Sequence, residues 1–157
     1  MARLLSQETL TAIEQVTAHY PTRMAALLPA LHLVQKQLGH VPETAQLEIA
    51  ALLDVPPTRV REVVTFYTML SEKPVGRHVV RLCRNLACHL RGAEPIGEHA
   101  KRLLGVEYGE TTPDGRITLM QDECLASCGT GPALWCDDNF VENLTPAKLE
   151  SFLASLT

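Results

Sequence analysis

Four of the five cysteines in this chain form two tight pairs, Cys83-x-x-x-x-Cys88 and Cys124-x-x-x-Cys128, set 35 residues apart, and the first 82 residues contain none. Any fold that makes one site of them must bring the ends of two distant segments together. In a reducing compartment, paired cysteines hold metal or do redox work more often than they form structural disulfides. Four thiolates are the ligand set of a 2Fe-2S cluster. They also suit a tetrahedral zinc, although the four-residue gap is at the limit of structural zinc spacing. A thioredoxin-type redox pair needs Cys-x-x-Cys, which is absent, and a Rieske centre needs histidines near the second pair, where none lies. Cys136 stands alone in an apolar run beside Trp135 and reads as core.

The rest of the composition removes competing classes. A formal charge of −4 and a pI near 5.8 argue against general nucleic-acid binding, which relies on clustered Lys and Arg. The opening residues turn polar too soon for a signal peptide, and no apolar run approaches the roughly 18 residues of a membrane span. The expectation is a cytoplasmic protein that reaches a membrane only through partners. No Gly-x-Gly-x-x-Gly follows a strand, and there is no phosphate-binding loop or Ser/His/Asp arrangement. Histidines 19, 32, 40, 78 and 99 show no metal spacing and read as surface or satisfied core residues.

Hydrophobic periodicity divides the chain into a helical half and a mixed half. Helices are expected over Gln7 to His19, Arg23 to Leu38 with a kink or restart at Pro29, Thr44 to Leu53, and Thr58 to Leu70. In the last of these, Val60, Val63, Val64, Tyr67 and Leu70 share a face. Lys73-Pro74-Val75-Gly76 breaks the helical period, which gives domains of 1–73 and 77–157. Beyond it, His78 to Cys83 reads as a strand delivering Cys83 at its end. A helix from Pro95 to Leu104 follows, then strands at Arg116 to Met120 and Ala133 to Cys136. A turn at Asp138-Asn139 leads into Phe140-Val141, and a last helix capped by Thr145-Pro146 runs to Leu156.

Around the cysteines, Arg77, Arg81, Arg84, His89 and Arg91 supply positive charge that would favour a reduced, more negative cluster. Gly129-Thr130-Gly131 is placed to turn backbone N–H groups toward sulfur, while Asp122 and Glu123 work in the opposite sense. A cluster moves one electron at a time, so a chain without a substrate site reads as a carrier.

The paired cysteines, together with Tyr20-Pro21, the run Leu28 to Gln35, Gly39-His40-Val41-Pro42, Thr65-Phe66-Tyr67-Thr68-Met69, Gly109 to Arg116 and Glu142-Asn143-Leu144-Thr145, carry a resemblance. The chain resembles the thioredoxin-like 2Fe-2S ferredoxins of the NuoE-type subunits of NADH:quinone oxidoreductase, respiratory complex I. Their relatives serve NAD-dependent formate dehydrogenases and NAD-linked hydrogenases. The resemblance implies an α+β architecture, an N-terminal helical bundle followed by a thioredoxin-like α/β domain carrying a 2Fe-2S cluster. It implies Cys83, Cys88, Cys124 and Cys128 as the cluster ligands, with no catalytic residue of the chain's own. It also implies an FMN- and NADH-binding flavoprotein partner (NuoF-type), then a larger iron–sulfur subunit, at the cytoplasmic face of the inner membrane. The alternatives are a diaphorase subunit of a formate dehydrogenase or hydrogenase and, from another class, a zinc-stabilised assembly module. Ala126-Ser127 stands where Gly-Ala is usual in that family, and Gly131-Pro132 where Ala-Pro is often seen.

Overall fold

The computed structural model describes residues 4–157. The chain falls into two compact units, Met1–Pro74 and Val75–Thr157. Among the described residues, four α-helices make the first: α1 (Gln7–Thr17), α2 (Leu27–Leu38), α3 (Glu43–Leu53) and α4 (Pro57–Phe66). Ser6 caps α1 by accepting a hydrogen bond from the Thr9 amide at 3.2 Å. A single 3-10 turn, Met24–Ala26, precedes α2, which restarts at Leu27. Pro29 is thereby the third residue of α2, in the first turn, where a missing N–H breaks no helical bond. Met24, expected on the buried stripe, is 40% exposed because it lies in that preliminary turn. Gly39, at φ +78°, closes α2 in the left-handed conformation that glycine adopts without a Cβ clash. Leu10, Ile13, Leu31, Val34, Ile49 and Val60 meet in one apolar cluster drawn wholly from this unit. No single stripe here would hold its helix alone; the helices share one interior.

The fourth helix is shorter than its periodicity implies. It ends at Phe66, and Tyr67 leaves the helical region at φ −87°, ψ 111°. Leu70 is nonetheless buried, because tertiary hydrogen bonds pull the following segment inward. The Gln35 side chain donates to the Met69 carbonyl at 2.7 Å and accepts from the Ser71 amide at 2.7 Å. Val41 adds an amide bond to the Ser71 carbonyl. Periodicity implies helix through this turn because Leu70 faces inward either way.

The second unit is a four-stranded mixed sheet with helices, the α+β class expected. Its strands are β1 (His78–Cys83), β2 (Ile117–Asp122), β3 (Leu134–Cys136) and β4 (Asn139–Val141), in the order β2-β1-β3-β4. β1 and β2 run parallel, joined through α5 (Leu86–Leu90) and α6 (Ala93–Leu104); β3 is antiparallel to β1 and to β4. The crossover places the C-terminal ends of β1 and β2 at the same edge of the sheet. The tight turn lies at Asp137-Asp138, one residue before the expected position, since Cys136 pairs with Asn139 and Asp137 takes the positive φ of +53°. Thr145 caps α7 (Pro146–Ser155) by accepting from the Lys148 amide. Val80, Ile117, Leu119, Leu134 and Leu149 fill the interior of this unit.

Candidate functional site

Both cysteine pairs lie at the C-terminal edge shared by β1 and β2. Cys83 is the last residue of β1, in register with Asp122 of β2, and its amide donates to the Ala133 carbonyl at 3.1 Å. The chain then turns into α5, a short helix that sequence periodicity misses because five residues are too few to show a period. α5 carries Cys88 inward, while Leu86 and Leu90 of the same helix are 68% and 76% exposed. Cys124 and Cys128 sit on the loop after β2, both exposed. The site is therefore two-layered: one pair beneath, one pair on the loop above the sheet edge.

Cys83 and Cys128 both act electrostatically on Cys88. The Cys88 thiol is pushed up to about 11 by burial, then by its hydrogen bond with Cys83 and the charges of Cys83 and Cys128, while a backbone hydrogen bond at Ala133 works the other way. Thiols so arranged resist ionising together, and a bound cationic centre would relieve that repulsion. A Cβ built on Gly131 would lie 2.7 Å from the Cys88 sulfur, so only glycine leaves room for that sulfur. The donor set and the glycine space fit a cluster.

Two arginines fasten the loops to each other. Arg84, next to Cys83, pairs with Glu123, next to Cys124, and the pairing lowers the Glu123 pKa below the ordinary carboxylate range. Arg91 donates from Nε to the Gly131 carbonyl at 2.6 Å. Arg81 stands 3.8 Å from Asp122, and His89 lies 3.9 Å from Glu94. Arg77, by contrast, is at the far end of β1 and donates to the Thr157 carbonyl. The sequence expectation of a positive cluster around the first pair is thus corrected: Arg77 is remote, and the nearer cations are largely matched by carboxylates.

The second loop is held from below. Ser127, 5% exposed, donates its hydroxyl to Glu142 at 2.6 Å, Thr130 donates to the same oxygen, and the two hydroxyl oxygens lie 2.6 Å apart. These two hydroxyls keep the Glu142 carboxyl below its usual range, so the clamp is formed at neutral pH and loosens only as pH falls and that carboxyl protonates. The Asn143 amide binds the Thr130 carbonyl at 2.6 Å. Thr130, one of the residues expected to aim an N–H at sulfur, gives its amide to the Ser127 carbonyl instead. An N–H that does reach the second pair is that of Ala126, which donates to the Cys124 sulfur at 3.4 Å. Ala126 holds φ +59°, a conformation that favours glycine, so the alanine there is a strained choice.

A parallel strand pair with its crossover helices, extended by an antiparallel hairpin and bearing two cysteine loops at one edge, defines a thioredoxin-like iron–sulfur domain. The chain belongs to the thioredoxin-like [2Fe-2S] ferredoxin family, whose model matches residues 13–157. It is 41% identical over 143 residues to the E 2 subunit of the NADH-quinone oxidoreductase of Rhizobium meliloti (strain 1021), covering 91% of this chain and 85% of that one. To the E subunit of the NADH-quinone oxidoreductase of Escherichia coli (strain K12) it is 40% identical over 149 residues, covering 95% and 90%. Its fold matches a chain of an NAD+-reducing [NiFe]-hydrogenase in the air-oxidised state with a TM-score of 0.71 at 19% identity, covering 83% of this chain and 22% of that one. No described helix is long and apolar enough to cross a membrane.

Proposed function

We propose that this chain is the electron-transfer subunit of an NADH:quinone oxidoreductase, with Cys83, Cys88, Cys124 and Cys128 ligating one 2Fe-2S cluster. The observation that carries the reading is the convergence of both cysteine pairs at one sheet edge, with Gly131 leaving room for the Cys88 sulfur. When bound, the cluster supplies one-electron chemistry. The protein's part is positional: β1 and α5 fix the inner pair, and the Arg84–Glu123 and Arg91–Gly131 contacts tie the outer loop to it. The 40% identity to an NADH-quinone oxidoreductase chain, nearly end to end, favours this parent over a formate dehydrogenase or hydrogenase diaphorase.

The partner on this reading is the FMN/NADH flavoprotein, followed by the larger iron–sulfur subunit, in a complex on the cytoplasmic face of the inner membrane. Leu86 and Leu90 form an apolar border beside Cys88, suited to excluding water where an electron crosses between subunits. In the helical unit, Phe66 and Met69 are 77% and 49% exposed, and we assign that unit the role of docking the flavoprotein. Anaerobic purification is expected to give two irons and two labile sulfides per chain, and co-expression to recover the flavoprotein with it. One zinc and no sulfide would end the cluster reading. Phe66→Asp with Met69→Asp should weaken co-purification at least about tenfold without unfolding the unit, since neither side chain is buried; undiminished recovery would remove the docking role.

The Glu142 clamp provides a separate test. Glu142→Gln removes an anion beside the second loop while keeping an acceptor for the two hydroxyls, and the lost negative charge favours the more negative reduced state. The midpoint potential, read by EPR on redox-poised samples, is expected to rise. An unchanged midpoint would leave the clamp a mechanical support only.

A further inference from the structure

At the opposite end of β1 from Cys83, roughly 16 Å away along five strand residues, three unlike ligand groups converge. Val80 of β1 lies opposite Cys136 of β3, so His78, two residues back, shares the same sheet face and is the diagonal neighbour of Cys136. Asp137 follows directly, and its positive φ of +53° at the hairpin turn brings its carboxylate back over the pair. The Asp137 Oδ2 lies 2.7 Å from His78 Nδ1 and 3.7 Å from Cys136 Sγ. All three ligand atoms lie within 4.8 Å of one another.

We propose that His78, Cys136 and Asp137 form a binding site for a zinc ion, distinct from the four paired cysteines. A nitrogen, a sulfur and an oxygen donor within that reach match the mixed ligand sets zinc accepts, with a fourth position left to water. A second observation points the same way. His78 Nε2 faces the Thr157 carbonyl oxygen at 3.1 Å. Donation from Nε2–H to a backbone carbonyl is the outer contact that metal-bound histidines habitually make, and it leaves Nδ1 facing the Asp137 carboxylate, to which it donates in the metal-free chain; zinc would take the place of that proton. The turn is further held by the Trp135 indole N–H, which donates to the Asp137 carbonyl. Binding releases the Cys136 thiol proton, and any proton on His78 Nδ1, to solvent. The ion ties the start of β1 to the β3–β4 turn, so it stabilises the sheet at the end away from the cysteine loops.

The test uses the purified full chain, equilibrated with buffered zinc chloride, freed of loose metal, and assayed for zinc, iron and sulfide. One zinc per chain beyond the iron is expected. Zinc-edge X-ray absorption should show a single sulfur at about 2.3 Å with nitrogen and oxygen near about 2.0 Å. His78→Ala and Asp137→Asn should each weaken zinc binding at least about tenfold while iron content stays constant. Asp137→Asn matters most, because that side chain is 41% exposed and its loss leaves the core intact, whatever becomes of Cys136→Ser. Failure to retain zinc, an all-sulfur shell, or undiminished zinc in both variants would overturn the site. The iron and sulfide assays run on the same samples distinguish this site from the paired cysteines: zinc held by those cysteines would appear with iron and sulfide missing.

Discussion

Cys88→Ser is expected to abolish the EPR signal of the reduced chain and to reduce bound iron and labile sulfide to near zero. Cys88 is 1% exposed, and burial together with the neighbouring Cys83 pushes its thiol up to about 11. Serine offers a hydroxyl that stays protonated at neutral pH and binds iron poorly beside thiolates, and the buried position gives solvent no route to substitute for it. Cys124→Ser removes a proposed ligand from the exposed loop and should lose the signal as well, although that loop can rearrange more freely. In both variants the helical unit should remain folded, because every side chain of its apolar cluster lies at or before Leu70. Far-UV circular dichroism would follow the helices and EPR the cluster. A full-strength signal from either variant would remove that residue from the ligand set.

Gly131→Ala should be nearly as damaging, although Gly131 is not itself one of the proposed ligands. The new Cβ would lie 2.7 Å from the Cys88 sulfur and 3.4 Å from the Ser127 carbonyl oxygen. That first distance is well inside the roughly 3.5–4.0 Å at which carbon atoms pack. Relief means moving either the sulfur or the loop, and Arg91 pins the loop through the Gly131 carbonyl. Overpacking of this kind costs about 1–3 kcal/mol, here directed onto one proposed ligand. Gly129→Ala is the matched control, since its Cβ would meet nothing within 4 Å. Iron content after anaerobic purification should fall in Gly131→Ala and stay normal in Gly129→Ala. Equal occupancy in the two would mean that the Cys88 sulfur has room the geometry denies it.

Several features are legible in the sequence because they rest on local chemistry. Apolar spacing marks all four N-terminal helices, and Thr145-Pro146 marks the start of α7. Strand alternation finds β1, β2 and β3, and Pro and Gly around residue 75 mark the change of period. The errors have equally physical causes. Leu70 is buried by hydrogen bonds from Gln35 and its neighbours rather than by a continuing helix, and α5 is too short to leave a periodic trace. The hairpin turn falls one residue early because Asp137, not Asn139, adopts the positive φ.

Cysteine spacing and flanking motifs are properties of a linear string, so the sulfur chemistry and the family can be read without any fold. What surrounds those sulfurs depends on how the chain returns on itself. Arg77 is near Cys83 in sequence yet lies at the other end of an extended strand, whereas Glu142 and Gly131, far from Cys83 in the chain, converge on the cysteine loops. The same is true of His78 and Cys136, which periodicity alone presents as an ordinary histidine and a core thiol. Strand pairing makes them diagonal neighbours although they are far apart along the chain, and no local pattern encodes which strand a given residue will face.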